Sequence, residues 1–207
     1  METALGLTEL GAVAAALGFA SGLRLYAVVF ITGAAGYLGW IDLPAGLQLL
    51  QNPIVMGAAF LMAAVEFFAD KVPALDSLWD AVHTLIRIPA GAALAVGAFG
   101  GDGAVGSLVA ALAGGTLAAT AHAAKATTRA AANTSPEPFS NIGLSLAGDI
   151  AVPALLWLSW VHPLVFWPVL ALLVVCALTL VIVLFKFLRT LLQRLAPQRQ
   201  TKASPHV

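Results

Sequence analysis

Asp76, Asp80, His83 and Arg87 stand at i, i+4, i+7 and i+11 in the stretch LDSLWDAVHTLIR. At 100° per residue a helix gathers them within about 60° of arc. Leu75, Leu78, Trp79, Val82, Leu85 and Ile86 cover the opposite face. His122, Lys125, Arg129 and Asn133 make a second stripe, at i, i+3, i+7 and i+11, within about 80° of arc. One stripe is largely acidic and the other largely basic. Such rows of carboxylate, imidazole and cation can hold an ion, pass a proton or pair with each other. The spacing predicts that the stripes face one another, pairing Asp76 or Asp80 with Lys125 or Arg129. A salt-bridge clasp and a ligand site fit that pattern about equally well. The 75–87 helix alone also reads as an amphipathic interfacial helix, although such helices favour Lys and Arg on the polar face.

A third group is Arg24, Glu66 and Asp149. Counted from Tyr37, Pro53 and Trp160 at the membrane boundary, all three fall at a similar depth. A charge near the bilayer centre costs about 2.5–3.5 kcal/mol on insertion scales, so each needs a partner. Arg24 is predicted to pair with Glu66, Asp149 or both. Pro153 removes the helical hydrogen bond to the Asp149 carbonyl, and transporters place ions where helices break beside buried acids. Asp76, Asp80 and His83 are weak metal-ligand candidates on one helix. No P-loop or GxSxG turn is present, and the acids do not follow the two-Asp-plus-Arg pattern of lipid-headgroup transferases. No cofactor is expected.

The elements that must carry these residues are membrane helices. Of the 207 residues, 60% are hydrophobic and 10% charged, with mean hydropathy +0.94, against about 25% charged in a soluble domain. Several runs approach the roughly 20 apolar residues that cross a bilayer. No strand-like alternation recurs, which argues against a barrel. Cys176 is the one cysteine, so internal disulfides and cysteine metal clusters are excluded. No Lys or Arg precedes Arg24, so the first segment reads as a retained span rather than a signal peptide.

In chain order, the first span falls within Glu9–Leu38. At about 45 Å it exceeds the roughly 30 Å core and must tilt, protrude or break, with Ser21-Gly22 the weak point. Pro53 opens the second span, which ends near Lys71. Pro89 begins PAGAALAVGAFGG, too short to cross by itself. Either its span begins near Val82, or 89–103 is a re-entrant half-helix. An Ala-rich helix follows to about Ala132, and its Gly106, Ala110, Gly114 and Ala118 invite close helix packing. Pro136 and Pro138 stop it, and Ser135 can cap the next helix with Pro136 at its first position. The fifth span runs from about Asn141 to Trp160, and the sixth runs from Leu164. The expectation is an all-α integral membrane bundle of about six spans, one domain over 1–195, and a disordered basic cytoplasmic tail at 196–207. Residues 1–185 hold all ten acids and five bases, and the remainder holds five bases and no acid. With six crossings the bases share one face, which by the positive-inside rule makes both termini cytoplasmic, in a bacterial inner membrane. The chain also divides into three hairpins, each ending near a lysine: Lys71, Lys125 and Lys186.

The blocks SGLRLY, EFFADKVPALDSLWDAVHTLIRIPAGA and HAAKATTRAAANTSPEPFSN resemble domain-of-unknown-function family 4126, small multi-pass membrane proteins of bacteria with relatives in chloroplasts. The resemblance runs from about Leu5 to Phe187. It implies a membrane location and a shared polar core: Arg24, Glu66, Asp70, Lys71, Asp76, Asp80, His83, Arg87, His122, Lys125, Arg129, Asn133, Glu137, Asn141 and Asp149. It implies no activity. The leading expectation is a small transporter or channel for an ion or small anion. The alternatives are a membrane scaffold or assembly factor using the PEPFSN loop and tail, and a metal-dependent enzyme acting on a lipid headgroup. Expected partners are the lipid bilayer and the ion or small anion, with a homo-oligomer allowed. Nucleic acid is not expected, because the only basic run is a short tail beside a membrane.

Overall fold

The computed structural model describes residues 6–72, 75–99, 103–134 and 139–195. Regular structure there is helical: α1 (Leu7–Tyr37), a 3-10 helix (Ala45–Gln51), α2 (Pro53–Ala69), α3 (Leu75–Ala98), α4 (Gly103–Ala132), α5 (Phe139–Val161) and α6 (Pro163–Leu195). α1 and α3 to α6 are each long and apolar enough to cross a bilayer. The 3-10 helix and α2 reach that mark together, at a 71° bend. Local signals agree with the boundaries. At α2, Asn52 Oδ1 accepts the Ile54 N–H at 2.9 Å and Pro53 takes the first turn, the favoured start for a helix. The chain is the expected all-α polytopic bundle. Its outer faces carry exposed Leu, Val, Ile and Phe, while Arg24, Glu66, Asp70, Asp76, Asp80, Arg87 and Arg129 are buried. That distribution suits a hydrocarbon solvent, in which only paired charges are tolerated.

α1 does not run straight through. It is interrupted at Arg24, whose φ of −148° and ψ of 83° are not helical. Before the break, Thr8 and Glu9 lie beside the α5–α6 turn, lining a cavity with Val161, His162 and Pro163, and Gly11 packs on Trp167. Gly18 then meets Gly114 and Gly22 meets Ala118, so this limb runs along α4 toward its C-terminal end. After the break the direction reverses. Phe30 touches Phe60 in α2, Gly33 abuts Leu50 and Met56, and Gly36 abuts Leu43 and Gln51. The 3-10 helix that receives this end packs through Gly46 and Leu47 on Gly97, at the end of α3. Both ends of α1 therefore lie on the face that holds the α3–α4 and α5–α6 connections. The limbs are about 20–25 Å long at 1.5 Å per residue, similar to the 17-residue α2. α1 is a helical hairpin with Arg24 at its apex.

Three expectations change with this geometry. The interruption falls at Arg24 rather than at Ser21-Gly22, because Gly22 is used for close approach to Ala118 and leaves no room for a Cβ. The element that folds back is α1 rather than 89–103. α3 is one helix that runs through Pro89, so neither a half-helix at 89–103 nor a separate interfacial helix at 75–87 exists. The amphipathic face of 75–87 is used inside out. Leu78, Val82 and Leu85 are its exposed side, and Asp76, Asp80, His83 and Arg87 are buried against other helices. Finally, because α1 folds back, Gly6 and the end of α6 lie at opposite ends of the bundle rather than at the same one. The Ser135-Pro136 cap, the turn around Asp102 and the tail from residue 196 fall outside the described residues.

Small residues set the helix spacing at the centre. A Cβ on Gly18 would stand 2.8 Å from the Gly114 Cα, and one on Gly114 would stand 2.7 Å from the Gly91 carbonyl oxygen. Gly106, at the head of the same stripe, has nothing within 4 Å of its Cβ position, so the stripe packs only from Ala110 onward. Gly114→Ala should therefore destabilise the protein by about 1–3 kcal/mol through overpacking. Gly106→Ala should be neutral or stabilise by up to about 1 kcal/mol through helix propensity. Denaturant unfolding of both variants in micelles reads the difference. The fold-back of α1 makes a separate prediction. Epitopes placed ahead of Gly6 and after Leu195 should be reached from opposite faces of sealed vesicles, and same-face access would rule out the fold-back.

Candidate functional site

The apex of α1 meets charges of α2 to α5 that converge at one level of the bundle. Asp70, which ends α2, is the centre. Its Oδ2 lies 3.1 Å from Arg24 Nη2, 3.1 Å from Lys125 Nζ and 3.1 Å from Arg129 Nη2. Its carbonyl accepts a further bond from Arg129 Nη1 at 3.1 Å. Toward α5, Arg24 Nε lies 2.8 Å from Asp149 Oδ1, and Nη2 donates to Ser145 Oγ at 2.9 Å and to the Ser145 carbonyl at 3.1 Å. Lys71 Nζ lies 3.6 Å from Asp149 Oδ2 and also contacts Ser145 Oγ and the Phe67 carbonyl. Burial pulls the Lys71 ammonium below its ordinary pKa, with the Asp149 carboxylate opposing that shift.

Toward α3 the same cluster continues. Arg87 pairs with Glu66 and, through Nη1 at 2.8 Å, with Asp80 Oδ1. Lys125 Nζ is 3.2 Å from that Asp80 oxygen and 3.9 Å from Glu66 Oε1. Arg129 reaches Asp76 Oδ2 at 3.4 Å and Asp80 Oδ2 at 3.7 Å. The members are Arg24, Lys71, Arg87, Lys125 and Arg129 against Glu66, Asp70, Asp76, Asp80 and Asp149, five of each sign. Lys125 also donates to the Leu23 carbonyl at 3.1 Å, which satisfies backbone opened by the break at Arg24. Non-helical backbone at membrane depth persists where protein groups satisfy it in this way.

Two histidines border the cluster. Arg87 Nη1 donates to His122 Nδ1 at 3.0 Å, so the His122 proton sits on Nε2, 2.7 Å from Thr84 Oγ1. Thr84 in turn donates to the Asp80 carbonyl. His83 Nδ1 donates to the Trp79 carbonyl at 2.8 Å, and its Nε2 lies 3.0 Å from the Tyr26 hydroxyl. The His122 tautomer follows because a guanidinium can only donate. Among the described residues, Glu66 Oε2 and Arg87 Nε, both deeply buried, have no hydrogen-bond partner.

The two stripes do face each other, and Asp76 and Asp80 pair with Arg129 and Lys125 as spacing predicts. Asn133 donates to Asp76 Oδ1 at 3.3 Å and accepts from Asn141. Arg24 takes Asp149 as predicted, but its second acid is Asp70. Glu66 goes to Arg87. The deep and boundary sets are thus one cluster. Asp149 adjoins a helix that continues through Pro153, and the broken helix beside it is α1. The metal candidates part company: Asp76 goes to Arg129 and Asn133, Asp80 to Arg87 and Lys125, and His83 to Tyr26. Among the described residues no group of three His, Cys, Asp or Glu side chains is placed to hold a metal ion. Lys186, which ends the third hairpin, is exposed and apart from the cluster. Glu137 lies outside the described residues. Sequence reasoning missed Ser145, Thr84 and Tyr26. Ser145 lies one turn from both Asn141 and Asp149, a spacing that marks the same face.

A cavity of about 330 Å³ adjoins the cluster, with Arg24, Asp70, Lys125 and Arg129 on its inner wall and apolar side chains of α1, α5 and α6 around it. Residues 12–183 match the family model described as Domain of unknown function (DUF4126). The chain belongs to this family. No curated protein and no solved structure matches it.

Arg87 carries the clearest consequence for stability. Removing its charge leaves Glu66 buried, with only Lys125 at 3.9 Å. Breaking a buried pair from one side costs about 3–5 kcal/mol. Arg87→Met should lose that much in micelle unfolding, and adding Glu66→Gln should recover part of it. A double variant no more stable than Arg87→Met would show that the pair is not the source of the loss.

Proposed function

We propose that this integral membrane protein transports or conducts an ion or small anion through the ion-pair cluster. The observation that carries the reading is the break of α1 at Arg24, inside the membrane and in contact with the cluster. A stability device needs paired charges but not an interrupted helix. Transport sites do use the ends of half-helices, whose open backbone groups and side chains meet ions near mid-membrane.

The charge balance indicates exchange rather than storage. The cluster is formally neutral, so an incoming anion has to take the place of an internal carboxylate. Asp149 is the candidate, because its side chain is 22% exposed while that of Asp70 is fully buried. An anion arriving at Lys71 would displace Asp149 and reach Arg24 next. Lys71 therefore marks the entrance and Arg24 the inner station. All eight Lys and Arg of the described helices and connections lie in the half of the bundle that holds the cluster or on the α6 end beyond it. The positive-inside rule makes that face cytoplasmic, which puts the described N-terminal end outside. A bacterial inner membrane is the setting we infer.

Reconstituted in liposomes, the wild-type protein should move a small anion down its gradient. Asp149→Asn, whose amide oxygen can still accept from Arg24 Nε, should abolish that flux in protein that remains folded. Unchanged flux in Asp149→Asn, or no wild-type flux across a panel of halide, phosphate and carboxylate gradients, would remove the proposal.

A further inference from the structure

The cavity beside the cluster has a chemistry of its own. α5 packs mainly on α1, whereas α6 packs mainly on α4. Away from their short connection at His162, the two last helices therefore part, and the cavity fills the space between them. Leu144, Ala147 and Ala151 of α5 form one wall, and Leu173, Ala177 and Leu180 of α6 form the other. Cys176 and Leu180 are exposed on the outer surface of the bundle while also lining the cavity. The opening is thus lateral, between two helices whose outer surfaces are apolar, and it faces acyl chains rather than water.

The inner end is cationic. Of the charged cluster members, Arg24, Lys125, Arg129 and Asp70 line the cavity, three cations against one acid. Asp149, Asp80, Asp76 and Glu66 are not among its lining residues. All three cations already converge on one carboxylate oxygen, Asp70 Oδ2, at 3.1 Å each. The end wall is therefore built at carboxylate dimensions. Most other donors of the three go to Asp149, Ser145, Asp76, Asp80 and the Leu23 and Asp70 carbonyls, while Arg24 Nη1 has no partner among the described residues.

We propose that the cleft between α5 and α6 binds a single-chain amphiphile with a carboxylate head, entering from the bilayer. The head lies against Arg24, Lys125 and Arg129, and the hydrocarbon chain lies between the α5 and α6 walls. The volume, at the low end of the roughly 300–1,000 Å³ of small-molecule sites, admits one chain and excludes a two-chain phospholipid. This goes beyond the transport reading and concerns occupancy, which is measured without flux.

The test is photolabelling of the full-length protein in phospholipid nanodiscs with a diazirine-bearing fatty acid, read by peptide mass spectrometry. Labelling should concentrate on 144–151 and 173–180. The matching fatty alcohol should label these segments severalfold less. Ala177→Trp, which fills the cavity from the wall and touches no charge, should bring fatty-acid labelling there down to the level of the lipid-facing surface of α6. Ala151→Leu gives the same reading from the other wall if Ala177→Trp fails to fold. Labelling spread evenly over exposed helix faces, or unchanged by a folded cavity-filling variant, would overturn the site. Equal labelling by the alcohol would overturn the carboxylate head, and competition by acetate would overturn the requirement for a chain. Labelling without anion flux would sink only the transport reading, and flux without site labelling would sink only this one.

Discussion

Three cations on one oxygen of Asp70 fix the centre of this molecule. In hydrocarbon an unpaired charge is expensive, and the alternatives to pairing are few. Asp70 ends α2, Arg24 sits in α1, and Lys125 and Arg129 lie one turn apart on α4. Bringing them to one point determines where three helices meet. Arg24 can reach that point only from the apex of α1, and α1 turns back there. The outward partners follow from the same constraint. Arg24 and Lys71 share Asp149, which ties down α5, and Arg87 with Lys125 binds Asp80 and Glu66, which ties α3 to α2.

Close packing makes the convergence geometrically attainable. Gly18, Gly22, Gly91 and Gly114 let α1, α3 and α4 approach until backbone meets backbone. Without a hydrophobic force between helices in lipid, such contact is a main source of association. The glycines stand within about three turns of the charges on the same helices. A dry, tight upper half thus holds a charged lower half in register. α6 contributes little to either, since it is mostly exposed and carries no member of the cluster.

The polar stripes on 76–87 and 122–133 were legible because helical period is a property of local sequence. Their mutual pairing followed from opposite sign. The side of α3 that faces lipid was not legible, because an amphipathic pattern has the same period whether its polar face meets water or buried partners. Glu66 and Asp70 differ by one turn of α2, and their partners were interchangeable until the path of α1 was known. That path was hidden for a physical reason. No proline or glycine occupies position 24, and Arg24 leaves the helix because Asp70, Asp149 and Ser145 on two other helices hold it, while Lys125 takes the Leu23 carbonyl. Tertiary contacts stabilise the break, so local propensity does not announce it. The fold-back of α1 depended on that one residue.

A purely structural role explains the pairing of the charges but not their position. Replacing a buried ion pair by apolar side chains of similar volume is often neutral or stabilising, so ten charges are an inefficient means of joining five helices. Here they gather where a helix is open, where a cleft reaches the bundle surface, and where Glu66 Oε2 and Arg87 Nε lie buried without a hydrogen-bond partner among the described residues. Buried groups left this way cost stability, and the cost is the same whether or not the site is used. Pairs arranged at 3–4 Å around shared oxygens also have near-equivalent alternatives, since Asp80, Asp70 and Glu66 all lie within reach of Lys125. A clasp works best with one arrangement of its charges. A site that trades partners as an ion passes needs several of similar energy, and Lys125 among its three carboxylates has that form.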